Sequence, residues 1–160
     1  SAVARVGAAF DMEIVAWSPN LTAERAAAGG ATLVDRDTLF RTADVLTIHL
    51  VLGAATRGLV GREELAAMKP TAVLVNTSRG PIVDEAALLA ALQNGAIAGA
   101  GLDVFDIEPL PQDHPYRKLP NMILTPHLGY VTQDGYRLFY GGTVAAIRAW
   151  LDGKPIKALP

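Results

Sequence analysis

The chain has 160 residues, 51% of them apolar and 19% charged, a size and balance that fit a folded domain with a substantial core and exclude a disordered tail. A formal net charge of −2 gives no electrostatic footprint for nucleic acid or an anionic membrane, and no apolar run reaches the roughly 20 residues of a membrane-crossing helix. With no cysteine, disulfides, thiolate catalysis and cysteine–zinc sites are excluded, which fits a reducing compartment such as the cytoplasm; no metal site is expected.

Helix and strand then alternate along the chain. Residues 2–10 read as the tail of a helix, residues 13–17 as a short apolar strand, and Ser18-Pro19-Asn20 as a turn. Thr22 is placed to cap an alanine-rich helix that stops at Gly29-Gly30. Residues 31–34 give another short strand, and Asp37 opens a brief helical turn. A strand over residues 45–50 carries His49 near its end, read as a packed histidine. Residues 62–68 are helical until Lys69-Pro70 breaks the run before a strand at residues 72–75. Asp84 caps an amphipathic helix through Leu92, closed by Asn94-Gly95, and a strand follows over residues 97–102. Residues 106–120, with prolines at 109, 111, 115 and 120, form a loop long enough that function is its expected reason, with His114 inside it. After a strand at residues 122–124, a last helix covers residues 132–151. Its Gly141-Gly142 pair is a weak point or a close-packing site. Trp17 and Trp150 read as packing residues.

This order predicts a doubly wound α/β fold with a parallel sheet, and the wholly apolar strand at residues 72–75 predicts a sheet covered on both faces. A dinucleotide-binding domain of this class opens with a strand, a Gly-x-Gly-x-x-Gly turn and a helix. The sequence starts at a helix tail, with Ser18 at the end of the next strand, so the first strand and glycine-rich loop are expected to be missing. Residues 1–128 are then a truncated nucleotide-binding domain. Residues 129–160 are a crossing helix and a return segment, from Lys154 to Pro160, leading to an absent substrate domain.

Three motifs follow three of these strands: Asn76-Thr77-Ser78-Arg79-Gly80, Asp103-Val104-Phe105-Asp106-Ile107-Glu108-Pro109 and Thr125-Pro126-His127-Leu128-Gly129. In an open parallel sheet the carboxyl ends of the strands are where ligands bind. Singly, Arg79 reads equally as a surface residue of a turn, Glu108 as a solvated loop acid and His127 as a satisfied turn histidine. Asp103 either caps a turn or meets a cofactor. Together, an arginine, a carboxylate and a histidine past successive strands are the parts needed to hold a carboxylate and move a proton.

In the order and spacing of these motifs, nearly the whole chain resembles the D-isomer-specific 2-hydroxyacid dehydrogenases, which include phosphoglycerate, glyoxylate/hydroxypyruvate and D-lactate dehydrogenases. The resemblance implies an oxidoreductase that moves a hydride between NAD(P)H and a small 2-keto or D-2-hydroxy acid, and a homodimer through the nucleotide-binding domains. It implies Arg79 as the grip on the substrate carboxylate, His127 as the acid/base and Glu108 as its partner. It places the cofactor at Ser18, Leu50, Thr77, Ser78, Arg79, Asp103, His127 and Gly129. Two departures stand out: Val51 replaces a usual proline, and Ser18 replaces the acid that binds the adenosine ribose. Losing that acid removes repulsion of a 2′-phosphate, yet only the more distant Arg25 could attract one, so NAD is the family default and NADP stays open. A second reading, an NAD(H)-binding corepressor-like protein with little turnover, finds no peptide-docking feature in its support. The chain alone is expected to be inactive.

Overall fold

The computed structural model describes residues 2–154, in two compact units divided between Pro126 and His127. The expected return segment lies outside the described residues except for Lys154. The first unit holds α1 (Ala2–Ala9), β1 (Val15–Ala16), α2 (Ala23–Ala28), β2 (Thr32–Leu33), α3 (Arg36–Thr42), β3 (Val45–Ile48), α4 (Arg62–Ala67), β4 (Val73–Asn76), α5 (Glu85–Gln93), β5 (Gly99–Leu102) and β6 (Met122–Leu124). Short 3₁₀ turns stand at Gly80–Ile82 and Pro115–Lys118.

Strands β3, β4, β5 and β6 pair in that order, all parallel. Ile48 sits beside Asn76, Asn76 beside Leu102 and Leu102 beside Leu124, so the segments after β3, β4 and β5 leave the sheet at one edge. This is the parallel α/β arrangement expected of the alternating pattern. The core gathers Leu65, Leu74, Ile82, Leu88 and Ile97, all at most 1% exposed.

Local chemistry sets the helix ends. Thr22 accepts the Arg25 N–H (3.3 Å) and Asp84 accepts the Ala87 N–H (2.8 Å), both as expected of N-caps. Helix α3 starts earlier than Asp37 and runs seven residues, because Asp35 takes the cap and accepts the Thr38 N–H at 2.8 Å.

Strands β1 and β2 form a separate pair, joined over two residue pairs, and three further expectations are corrected. Side chains tie this pair to the rest, since the Arg36 guanidinium lies 5.7 Å from the centre of the Trp17 ring and bonds Glu64 of α4 at 2.8 Å. Strand β3 is covered on one face only; Leu46 and Ile48 are buried while Val45 is 47% exposed. His49 continues that open row instead of packing, with Nε2 3.1 Å from Thr47 Oγ1. The loop over residues 106–120 is interrupted by its 3₁₀ turn.

The second unit contains α6 (Gln133–Leu151), capped by Thr132, whose hydroxyl accepts the Gly135 N–H at 3.0 Å. The helix passes through Gly141-Gly142 unbroken, and a Cβ at either would meet nothing within 4 Å. Trp150, read from sequence as packing, is 70% exposed. No helix among the described residues is long and apolar enough to cross a membrane.

Leu74 is fully buried at the centre of β4, so Leu74→Ala is expected to lower the free energy of unfolding by about 2–5 kcal/mol. Val51→Ala, at an 87% exposed position, should stay within about 0.5 kcal/mol. Urea unfolding of the two variants checks both.

Candidate active site

Asn76 ends β4 with its side chain 1% exposed, and a buried amide needs partners for both of its ends. Its Nδ2 donates to the Arg79 carbonyl and its Oδ1 accepts the Ser78 N–H, each at 3.0 Å. These bonds fold residues 76–79 into a turn that leaves Arg79 exposed at the sheet edge. Ser78 Oγ donates to the Leu50 carbonyl at 2.5 Å, joining the segments after β3 and β4. One guanidinium nitrogen of Arg79, Nη1, donates to the Ser78 carbonyl at 2.6 Å. The fork has further N–H groups, and no carboxylate among the described residues pairs with it.

Gly80 comes next. A Cβ there would overlap the Phe105 carbonyl and the Asp106 nitrogen, so the segment after β4 rests with its backbone directly on the segment after β5. Phe105 is buried, and its N–H donates to Glu108 Oε1 at 2.9 Å, which orients the exposed Glu108 just before the cis Glu108–Pro109 bond. Asp103, 6% exposed, is held on both sides. Its N–H donates to the Asn76 carbonyl at 3.0 Å, and its Oδ1 accepts the Thr125 hydroxyl at 2.5 Å.

The rest of the loop is anchored on α5. The Tyr116 hydroxyl donates to the Glu85 carbonyl at 3.1 Å, and His114 Nε2 lies 3.2 Å from Glu85 Oε1. His114 Nδ1 accepts the Tyr116 N–H at 3.3 Å, which assigns the remaining proton to Nε2, facing the carboxylate. Burial, with Glu85, Asp106 and Asp84 nearby, pushes the Tyr116 phenol up. Asp106 is raised too, by desolvation first and by Glu85 and Asp84, with Arg57 opposing. Asn76, Gly80, Glu85, Phe105, Asp106 and Tyr116 border a cavity of about 10 Å³, the size of one water.

Leu50, Ser78, Arg79, Asp103 and Glu108 are thus brought to one edge and cross-linked there, with exposed Thr77 between Asn76 and Ser78. Ser18 lies two residues past the end of β1, where its carbonyl accepts the Leu21 N–H at 3.2 Å. His127 and Gly129 belong to the second unit. There His127 takes a left-handed backbone conformation (φ 57°), uncommon outside glycine, and its ring meets Tyr130 edge-on at 5.7 Å. Tyr130 in turn meets Phe139 of α6 at 6.4 Å. Of the residues that hold the edge together, Asn76 and Gly80 stand inside a motif, yet nothing in their residue type assigned them a role. His114 and Tyr116 carried no signal beyond their place between prolines.

Comparison with known proteins gives the family and the fold. A profile of the family described as D-isomer specific 2-hydroxyacid dehydrogenase, NAD binding domain, matches residues 1–129. A D-3-phosphoglycerate dehydrogenase of Synechocystis sp. is 43% identical over 158 residues, 99% of this chain and 28% of that protein. A glyoxylate reductase of Aeropyrum pernix is 46% identical over 134 residues, 84% of this chain and 40% of that protein. The crystal structure of a D-3-phosphoglycerate dehydrogenase from Ralstonia solanacearum superposes with a TM-score of 0.90 at 38% identity, covering 97% of this chain and 46% of that one. The chain therefore spans less than half the length of each of these relatives.

The raised carboxyl of Asp106 has a signed consequence. A carboxyl that ionises less readily when folded withdraws stability as pH climbs from its unfolded value through its folded one. Asp106→Asn is therefore expected to raise the urea midpoint at pH 7 and to leave it unchanged below about pH 3, where both side chains are neutral. A lower midpoint at pH 7 would contradict this.

Proposed function

The chain belongs to the D-isomer-specific 2-hydroxyacid dehydrogenase family, and from that premise we propose that it supplies residues for hydride transfer between a nicotinamide dinucleotide and a small 2-keto or D-2-hydroxy acid. The observation that carries the reading is Arg79: an exposed guanidinium with no carboxylate partner among the described residues, set at the carboxyl edge of a parallel sheet by a fully bonded, buried asparagine. A planar fork that stays charged pairs bidentately with a carboxylate and polarises the neighbouring carbonyl.

The residues present suit a dinucleotide. Hydroxyl and carboxylate groups at Thr77, Ser78 and Asp103 stand at the edge where such cofactors bind, and Asp103 is already oriented by Thr125. With Ser18, Leu50 and Gly129 they are assigned to hold NAD, whose nicotinamide, when bound, supplies or accepts the hydride. This chain's own groups do the rest. Arg79 binds the substrate carboxylate, and His127 gives its proton to the carbonyl oxygen in reduction and takes it back in oxidation. Glu108 is assigned to favour the charged imidazole and its working tautomer. Glyoxylate, hydroxypyruvate and phosphoglycerate-type acids are the substrate classes indicated by the names of the relatives. A cytoplasmic homodimer completes the proposal.

The test is NADH oxidation with glyoxylate and hydroxypyruvate by the protein as its gene encodes it. His127→Ala should lower kcat by about 10²–10⁴-fold with NADH binding retained. Arg79→Lys should raise KM for the keto acid, because a point charge cannot replace the fork. Wild-type kinetics in His127→Ala would overturn the mechanism.

A further inference from the structure

Resting on the reading of Glu108 as the partner of His127, we infer that Arg117 is a positioning residue for Glu108, holding the loop that carries it by a two-pronged grip on the Leu110 and Pro111 carbonyls. The sequence of the loop calls for such a grip. Pro109 and Pro111 have no N–H, so a backbone ladder cannot hold residues 108–111, and their carbonyls must find donors elsewhere. Phe105 and Leu110 are buried on either side, while residues 106–109 between them are all exposed.

Arg117 supplies the donors from across the loop. Its Nε donates to the Pro111 carbonyl and its Nη2 to the Leu110 carbonyl, each at 2.8 Å, so one side of the guanidinium fork spans two successive peptide groups. The Leu110 carbonyl accepts no other hydrogen bond among the described residues, whereas that of Pro111 also takes the His114 N–H at 3.2 Å. No carboxylate among the described residues draws the guanidinium away into an ion pair. The arginine is itself fixed. Its N–H donates to the His114 carbonyl at 3.0 Å, and the adjacent Tyr116, 2% exposed, bonds the Glu85 carbonyl of α5 at 3.1 Å. A line of restraint therefore runs from α5 through Tyr116 and Arg117 to Leu110, two residues past Glu108. From the other side, the Phe105 N–H holds the Glu108 carboxylate at 2.9 Å. A lysine ammonium is a point charge on a flexible stem and cannot span both carbonyls in this way.

The test joins a mutant cycle in glyoxylate reduction to amide exchange, on the protein as its gene encodes it. Arg117→Ala should lower kcat by about 10-fold, within the range that misplacing a catalytic group costs, and leave KM for glyoxylate within about 2-fold of the parent. In a Glu108→Gln background the same change should cost nothing further, because Arg117 acts through that carboxylate. Arg117→Lys should resemble Arg117→Ala. Deuterium exchange at the Phe105 amide should quicken by about 10-fold in both Arg117 variants as its bond to Glu108 loosens. Arg117 is exposed, so circular dichroism of the variants should match the parent. Parent-like kcat in Arg117→Ala, a loss that adds in full to that of Glu108→Gln, complete rescue by Arg117→Lys, or unchanged exchange at Phe105 would each overturn the positioning role and leave the dehydrogenase reading standing. Parent-like kcat in Glu108→Gln, or a parent protein without turnover, would overturn that reading of Glu108 and the role of Arg117 together.

Discussion

At Gly80 the backbone of one strand-end segment lies directly on the backbone of another, and the arrangement of the sheet edge follows from that contact. A side chain of any size would collide with Phe105 and Asp106, so the two segments approach as closely as peptide groups can. Arg79 is the residue before the contact. Glu108 stands just past it on the other segment, held by the N–H of the same Phe105. The spacing between the backbones that carry Arg79 and Glu108 is thereby set by main chain. Asn76 completes the restraint from below: its buried amide bonds both Ser78 and Arg79, and leaving either partner unmade would strand a polar group in the core.

The loop that carries Glu108 is secured at its far end by different chemistry. Tyr116 is buried and bonds the backbone of α5, His114 faces the Glu85 carboxylate, and Arg117 donates to the carbonyls of Leu110 and Pro111 at 2.8 Å. The restraint gathers acids in one place. Desolvation first, and then the nearby Glu85 and Asp84, make Asp106 resist ionisation, with Arg57 as the partial offset. A firmly tied loop and an unfavourable carboxylate are two results of the same packing.

Much of this was legible from residue type and spacing, and the reasons for the remainder are specific. The apolar run at residues 72–75, the caps Thr22 and Asp84, and the positions of Arg79 and Glu108 after their strands depend on local pattern, and local pattern sufficed. His49 is exposed and not packed, because the strand's period of two places it in the open row with Val45 and Thr47. Asp35 and Asp37 can each cap a helix. The choice fell to Asp35 because the Val34 N–H still pairs with the Ala16 carbonyl, ending the extended chain right there. The bonds that shape the edge were out of reach for another reason. Ser78 to Leu50 and Thr125 to Asp103 join positions 28 and 22 residues apart, and no local rule specifies such partners.

If Gly80 ties the two segments together mechanically, the ¹H–¹⁵N spectrum of Gly80→Ala carries the mark on both of them. Amide signals of Ser78 and Arg79 and those of Phe105 to Glu108 should move together, while signals of Leu46 in β3 and Ala100 in β5 stay near their parent positions. Shifts confined to the Ser78–Arg79 side, with Phe105 and Glu108 unmoved, would show that the segments hold their places independently and would contradict it.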